Sequence, residues 1–65
     1  MMYDLRLFAN KKETSITNLN ASTMAEVRLF ACGMAIGASV KYKHVSVLAY
    51  ECDSKALVFE TRIDK

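Results

Sequence analysis

The chain contains no proline and no tryptophan, and it has only two glycines and one histidine among its 65 residues. Proline and glycine most often interrupt secondary structure, so their scarcity excludes a linker-rich or low-complexity chain. Hydrophobic residues make up 52% and charged residues 25% of the chain, a composition typical of a folded domain. This length accommodates one domain, and we expect residues 1–65 to form it.

An excess of one charge and long apolar runs are also lacking. Nine Lys and Arg against seven Asp and Glu leave a formal net charge of +2, which does not by itself indicate a polyanionic partner. No stretch approaches the roughly 18 apolar residues that span a bilayer, and the N-terminus lacks the pattern of a secretory signal. We therefore expect a soluble cytoplasmic protein without a membrane partner.

The two cysteines and the single histidine form no recognisable reactive or metal-binding motif. Cys32 and Cys52 belong to different predicted elements, and free thiols are expected without a secretory signal. A metal site at His44 would need Cys, Asp or Glu ligands, and no paired spacing offers them. Cys52 precedes Asp53, whose charge should raise the pKa of the thiol and reduce its reactivity. We expect no metal, no cofactor and no catalytic residue.

Hydrophobic periodicity predicts four strands and one helix. In the first strand Tyr3, Leu5 and Leu7 alternate with more polar residues, as in a half-buried strand. The predicted strands cover residues 3–9, 14–19, 44–51 and 55–63, with turns at 10–13 and 52–54. The fold class is therefore α+β, a small two-layer β-β-α-β-β domain. An antiparallel sheet of three or four strands carries one helix packed across one face.

The segment between the two hairpins predicts a helix with two apolar stripes. Thr23 followed by Glu26 is typical of a capping box, so the helix should begin at Met24 and end near Gly37. At about 100° per residue, one stripe contains Val27, Phe30, Ala31 and Met34, with Met24 at its margin. The second stripe contains Ala25, Leu29, Cys32 and Ile36. One sheet covers only one stripe well, so the second is a candidate interface.

The second hairpin predicts a sheet with two apolar faces. A turn centred on Asp53 and Ser54 places the bulkier side chains on one face, which we assign to the core under the helix: Leu48, Tyr50, Leu57, Phe59 and Ile63. The other face, which should point away from the helix, contains Val45, Val47, Ala49, Ala56 and Val58. Exposed apolar area of this extent usually marks an interface. The predicted protein interface consists of Val45, Val47, Ala49, Val58, Leu29 and Ile36.

The segment Lys41–His44 favours an alternative partner. Lys41 and Lys43 alternate with Tyr42 and His44, a combination that neutralises phosphate and stacks on an unpaired base. Arg62 is expected to extend this patch. The alternative is therefore a small nucleic-acid-binding domain that uses Lys41, Tyr42, Lys43 and Arg62.

Together these features favour a non-enzymatic protein-interaction module that forms a homo-oligomer, most simply a dimer, and that binds and occludes a larger protein. In size and order of elements the chain loosely resembles the small inhibitor proteins that phages and mobile elements use against host enzymes or defence systems. The resemblance implies inhibition by binding and assigns no individual residue. A small-ligand binder at a dimer seam is a further alternative, because such sites are often assembled from two chains.

Overall fold

The computed structural model describes every residue from Met1 to Lys65 and confirms the predicted order of elements. The elements are β1 (Met2–Ala9), β2 (Lys12–Asn20), α1 (Met24–Ser39), β3 (His44–Glu51) and β4 (Leu57–Asp64). The strands form one antiparallel four-stranded sheet in the order β2-β1-β3-β4. Helix α1 packs on one side of this sheet, over β3, β4 and β1. Strand β2 is therefore an edge strand that the helix leaves largely uncovered.

Strand β1 shows the predicted alternation. Tyr3, Leu5 and Ala9 are buried on the helix side, and Asp4 and the other intervening side chains are only half-buried on the opposite side. The hairpin turns through Asn10 and Lys11, whose φ angles are 52° and 70°. Two consecutive positive φ values match the twist of tight hairpins, so a short loop joins β1 to β2 without glycine.

Helix α1 begins at Met24, as predicted. Thr23 is the N-cap, and its Oγ1 accepts a hydrogen bond from the Glu26 backbone N–H at 3.3 Å. The Glu26 carboxylate accepts a hydrogen bond from the Ser22 backbone N–H at 3.4 Å, one residue before the N–H of Thr23 that a regular capping box would use. Both interactions satisfy or orient backbone groups at the start of the helix.

We expect Thr23→Ala to destabilise the protein by about 1 kcal/mol, because it removes the N-cap side chain that accepts the Glu26 backbone N–H. In a domain of this size that corresponds to a melting temperature lower by roughly 4–8 °C, measurable by circular dichroism. Ser22→Ala is the matched control, since only the backbone of Ser22 takes part in the cap. Equal melting temperatures for the two variants would contradict the role of Thr23.

The helix was predicted to end near Gly37 with that glycine in a left-handed conformation, and this cap is wrong. The helix continues to Ser39, Val40 is the C-cap, and neither glycine has a positive φ. Side chains satisfy the end instead: the Ser39 hydroxyl donates to the Ile36 carbonyl at 2.7 Å, and Lys65 Nζ donates to the Ser39 carbonyl at 2.9 Å. Even with these additional residues, α1 does not have the length and apolar character needed to cross a membrane.

The layer between helix and sheet is built from small side chains. The helix buries Val27, Ala31 and Ala35, all with no exposed surface. On the sheet, the most buried side chains opposite them are Leu5, Val45, Val47 and Ala49. Alanines at the contact let the helix lie close to the sheet, so short β-branched residues fill the space beneath it.

The predicted orientation of β3 is therefore wrong. Val45, Val47 and Ala49 were expected to face away from the helix, yet they lie in the core beneath it. Leu48 and Tyr50 are on the opposite face, which no helix covers. The size of the side chains did not indicate which face of β3 is buried. The small residues on the buried side of α1 bring the helix close to the sheet, and this leaves little room for large side chains beneath it.

The predicted orientation of the β4 side chains is only partly right, because β4 contains a β-bulge at Val58. Near the turn Tyr50 pairs with Leu57, as the predicted turn requires, but the register then shifts by one residue. Beyond the shift Ala49 pairs with Phe59 and Val45 pairs with Ile63, so Phe59 and Ile63 do reach the helix side while Leu57 does not. One inserted residue exchanges the two faces of a strand, because side chains alternate with period two.

Candidate protein interface

The outer face of α1, defined by Leu29, Gly33, Ile36 and Val40, is an apolar surface that nothing in this chain covers. Leu29 is 78% exposed, Ile36 is 62% exposed and Val40 is 86% exposed. These residues follow one another at helical spacing along the side opposite Val27. No charged residue occurs between Leu29 and Val40. An uncharged apolar stripe of this kind is unusual on the water-facing side of a helix.

Gly33 and Gly37 lie within this region and are not required by the fold. Both are in ordinary helical conformation, and a Cβ atom added at either position would have no atom within 4 Å. Glycine inside a helix costs about 1 kcal/mol relative to alanine. The chain therefore carries two unfavourable residues for which its own packing gives no reason, on the side of α1 where another backbone has room to approach.

A groove runs along the flank of α1 above the uncovered strand β2. Leu19 of β2 forms its floor, and Leu29, Phe30 and Met34 of α1 form its wall. Phe30 is 45% exposed, although the sequence placed it on the buried stripe. The groove, which we call the flank groove, has a volume of about 610 Å³, and Glu26 at one end is its only charged lining residue.

The structure separates the predicted interface residues into two groups. Val45, Val47 and Ala49 are in the core, and Val58 is half-buried against it, so the valine patch is not available as a surface. Leu29 and Ile36 are exposed on the outer face of α1, where the helical spacing placed them. Val40 was missed because the helix was expected to stop at Gly37. The absence of a polar or proline residue directly after Gly37 is the signal that could have extended it.

The uncovered face of the sheet is of mixed polarity. Arg6 donates to Glu13 at 3.2 Å, and its guanidinium lies 5.7 Å from the centre of the Tyr50 ring. Leu48 is half-buried beside Arg6, its direct partner across the β1–β3 ladder. Charged side chains thus shield the aromatic and aliphatic residues of this face, so it is a weaker candidate for association than the outer face of α1.

The residues of the proposed nucleic-acid patch do not form one surface. Tyr42 packs against the hydrophobic core, with Lys41 Nζ 5.4 Å from the centre of its ring. Arg62 belongs to the uncovered sheet face, where its Nε is 2.9 Å from Asp64. The Lys43 side chain is exposed nearby, but its carbonyl is engaged by the Lys65 N–H. The Tyr42 ring, which was expected to stack on a base, thus packs against the core and Lys41. Arg62, which was expected to extend the patch, lies on the uncovered sheet face.

His44 and Asp64 form a hydrogen-bonded pair at the start of β3 and the end of β4. His44 Nδ1 is 3.0 Å from an Asp64 carboxylate oxygen. This hydrogen bond and the neighbouring Arg62 hold the pKa of Asp64 below its usual value. The arrangement ties the ends of two strands together and leaves the arginine partly neutralised.

The thiols are not paired with a base. Cys52 follows the end of β3 and His44 begins it, so about eight residues of extended strand, roughly 25 Å, separate them. Cys52 Sγ donates to an Asp4 carboxylate oxygen at 3.4 Å. Partial burial and this hydrogen bond raise the pKa of Cys52, and the charges of Asp4 and Asp53 raise it further, as was expected for Asp53. These interactions favour the protonated form of the thiol, which is a weaker nucleophile than the thiolate.

Comparisons with protein-family models, with curated proteins and with solved structures find no match to this chain. The case for a function therefore depends on the surfaces described above.

Proposed function

We propose that the protein is a non-enzymatic interaction module that self-associates as a homodimer through the outer face of α1. The observation that carries this proposal is the exposure of Leu29, Ile36 and Val40 on one uncharged side of a single helix. Water contact with these side chains is unfavourable, and burying each one fully is worth about 1.5–3 kcal/mol.

A second copy is the partner that fits this face best. In a two-fold symmetric contact the same surface meets itself, so any charge on it would face its own copy. The outer face has no charge to repel, and its apolar residues complement one another. Gly33 and Gly37 would allow two helix backbones to approach closely, which accounts for glycines that the monomer does not need.

The expected contact is small. Sixteen helical residues extend over about 24 Å, and a helix is about 10 Å across. A standard specific interface buries about 800 Å² on each partner, roughly a fifth of the 4314 Å² surface of this molecule. A helix pair is at the lower end of that range, so we expect a dimer that forms at micromolar concentrations rather than an obligate one.

Such a dimer leaves the rest of the surface free to bind and occlude a larger protein, in the manner of a small inhibitor. The flank groove supports this second step: it shares Leu29 and Gly33 with the dimer contact, and its other apolar residues, Leu19, Phe30 and Met34, lie outside that contact. The free thiols of Cys32 and Cys52 support a reducing compartment, and we place the function in the cytoplasm.

We expect Ile36→Lys to convert the dimer to a monomer without unfolding it. Lysine is a good helix former and this position is exposed, so the fold is preserved while a charge enters the centre of the contact. Sedimentation equilibrium should give twice the 7.3 kDa chain mass for the wild type and the chain mass for the variant. Ile16→Lys is the matched control, since Ile16 is a similarly exposed isoleucine on the sheet and should leave the mass unchanged.

Gly33→Ala gives an independent second variant. It should raise the free energy of unfolding of the monomer by about 1 kcal/mol while weakening self-association, because the added methyl group separates the helices. A wild type that stays monomeric up to millimolar concentration would disprove the homodimer. So would a dimer whose mass responds to Ile16→Lys and not to Ile36→Lys.

A further inference from the structure

Strand β2 has an unpaired edge with no charge along most of its length. It pairs only with β1, and from Thr14 to Asn20 it contains neither a charged residue nor proline. Natural edge strands are usually protected by such residues, because free backbone groups pair with other chains. The opposite edge strand β4 has this protection, with Glu60, Arg62 and Asp64 along it and an ion pair between the last two.

The free backbone groups of β2 can be identified from the ladder. Ala21 N–H donates to the Met1 carbonyl at 2.9 Å, and the Met1 amino group donates to the Ala21 carbonyl at 3.2 Å. In an antiparallel pair every second residue is bonded in this way. Leu19 and Thr17 therefore bond to β1, as Ala21 does. The alternate residues direct their N–H and C=O groups to the open edge: Ile16, Asn18 and Asn20.

The flank groove lies beside this edge, on the helix side. A strand added next to β2 would direct alternate side chains toward the helix side, where Leu19, Phe30 and Met34 form an apolar pocket. The added strand would gain backbone hydrogen bonds from the edge and side-chain burial from the groove. These two features arise independently, the first from the sheet order and the second from the position of the helix.

We propose that β2 accepts an extended peptide segment of another protein as a fifth strand. The segment should have aliphatic or aromatic side chains at alternate positions and no charge where it follows the uncharged edge. A basic residue is expected near Glu26, the only charged residue of the groove. This inference rests on the proposed role as a protein-interaction module and names the kind of partner that module binds.

A second copy fits this edge less well than a foreign segment. On the helix side β2 itself presents Ser15, Thr17 and Leu19, because these residues pair with Leu7, Leu5 and Tyr3 of β1. A second β2 would therefore bring hydroxyl groups toward the apolar groove and lose their hydration. A segment with apolar residues at every second position avoids that loss.

The test uses the isotope-labelled full chain and a synthetic seven-residue peptide in which valine and leucine alternate with threonine, ending in lysine. In the free protein the amide protons of Ile16 and Asn18 should exchange rapidly with solvent, and those of Thr17 and Leu19 slowly. Saturating peptide should slow exchange at Ile16 and Asn18 at least tenfold. A peptide of the same composition with its apolar residues contiguous should not.

Phe30→Ala should weaken binding of the peptide at least tenfold, because Phe30 forms part of the groove wall. Leu57→Ala, at a similarly exposed residue beside the other edge, is the control and should leave it unchanged. Equal binding of both peptides, or none of either, would overturn the proposal. Protection of Ile16 and Asn18 that rises with protein concentration without peptide would also overturn it, since a second copy would then occupy the edge.

Repeating the titration in Ile36→Lys separates this inference from the helix-mediated dimer. Binding should persist in that variant, because Ile36 does not line the groove. If Ile36→Lys remains dimeric and still binds the alternating peptide, the homodimer contact is wrong and the strand-addition site stands. If the variant is monomeric and does not bind, the strand-addition site is wrong and the homodimer stands.

Discussion

Val47→Lys is expected to unfold the protein at room temperature. Val47 has no exposed surface and lies on the central strand β3, beneath the helix and beside Leu7 of β1, so an ammonium group there would have neither water nor a counter-ion. Burying an unpaired charge costs several kcal/mol. The stability expected of a 65-residue domain is only roughly 3–10 kcal/mol. The far-ultraviolet circular dichroism of the variant should therefore be that of an unfolded chain.

Leu57→Lys is the matched control for this experiment. Leu57 is 49% exposed at the start of β4, so a lysine there can extend into water. The variant should keep its circular dichroism spectrum and melt within a few degrees of the wild type. A folded Val47→Lys together with an unfolded Leu57→Lys would mean that the helix covers the other face of β3.

The contrast between these two residues shows where prediction from sequence works and where it fails. The strands and the helix start were predictable because their signals are local: the alternation around Leu5 and the cap formed by Thr23 with Glu26. Which face of β3 meets the helix is not a local property. It depends on the pairing of β3 with β1, which aligns Val47 with Leu7 and so puts both on the helix side. It depends also on the bulge at Val58, which no residue type in the turn indicates.

The residues of the candidate interface also fall into those that local sequence signals predict and those that depend on the rest of the fold. Leu29 and Ile36 could be placed on an exposed stripe because helical spacing alone fixes their relative positions. Val40 was harder to place, because its only local signal is the absence of a polar or proline residue directly after Gly37, and Lys65, far away in sequence, helps to satisfy the end of the helix. The flank groove could not be predicted from the sequence either, since it exists only because α1 lies over β3 and β4 and leaves β2 uncovered.

Close packing of small side chains determines the position of the helix, and Ala31→Leu should disrupt it. Ala31 has no exposed surface and belongs to the same core cluster as Val45 and Val47. Three additional carbon atoms have no cavity to enter, so the helix must move outward or the side chains must leave their preferred rotamers. We expect a loss of about 1–3 kcal/mol in the free energy of unfolding, measured by urea titration.

Ala25→Leu separates this packing effect from the general effect of leucine in a helix. Ala25 is exposed in the first turn of α1, so its substitution changes helix propensity by only a few tenths of a kcal/mol and meets no neighbouring side chain from the sheet. The free energies of unfolding of Ala31→Leu and Ala25→Leu should therefore differ by most of the loss expected for Ala31→Leu. Equal stabilities would mean that the layer between α1 and β3 has room for a larger side chain. The small residues of α1 would then not be the reason why the valines of β3, rather than Leu48 and Tyr50, lie beneath the helix.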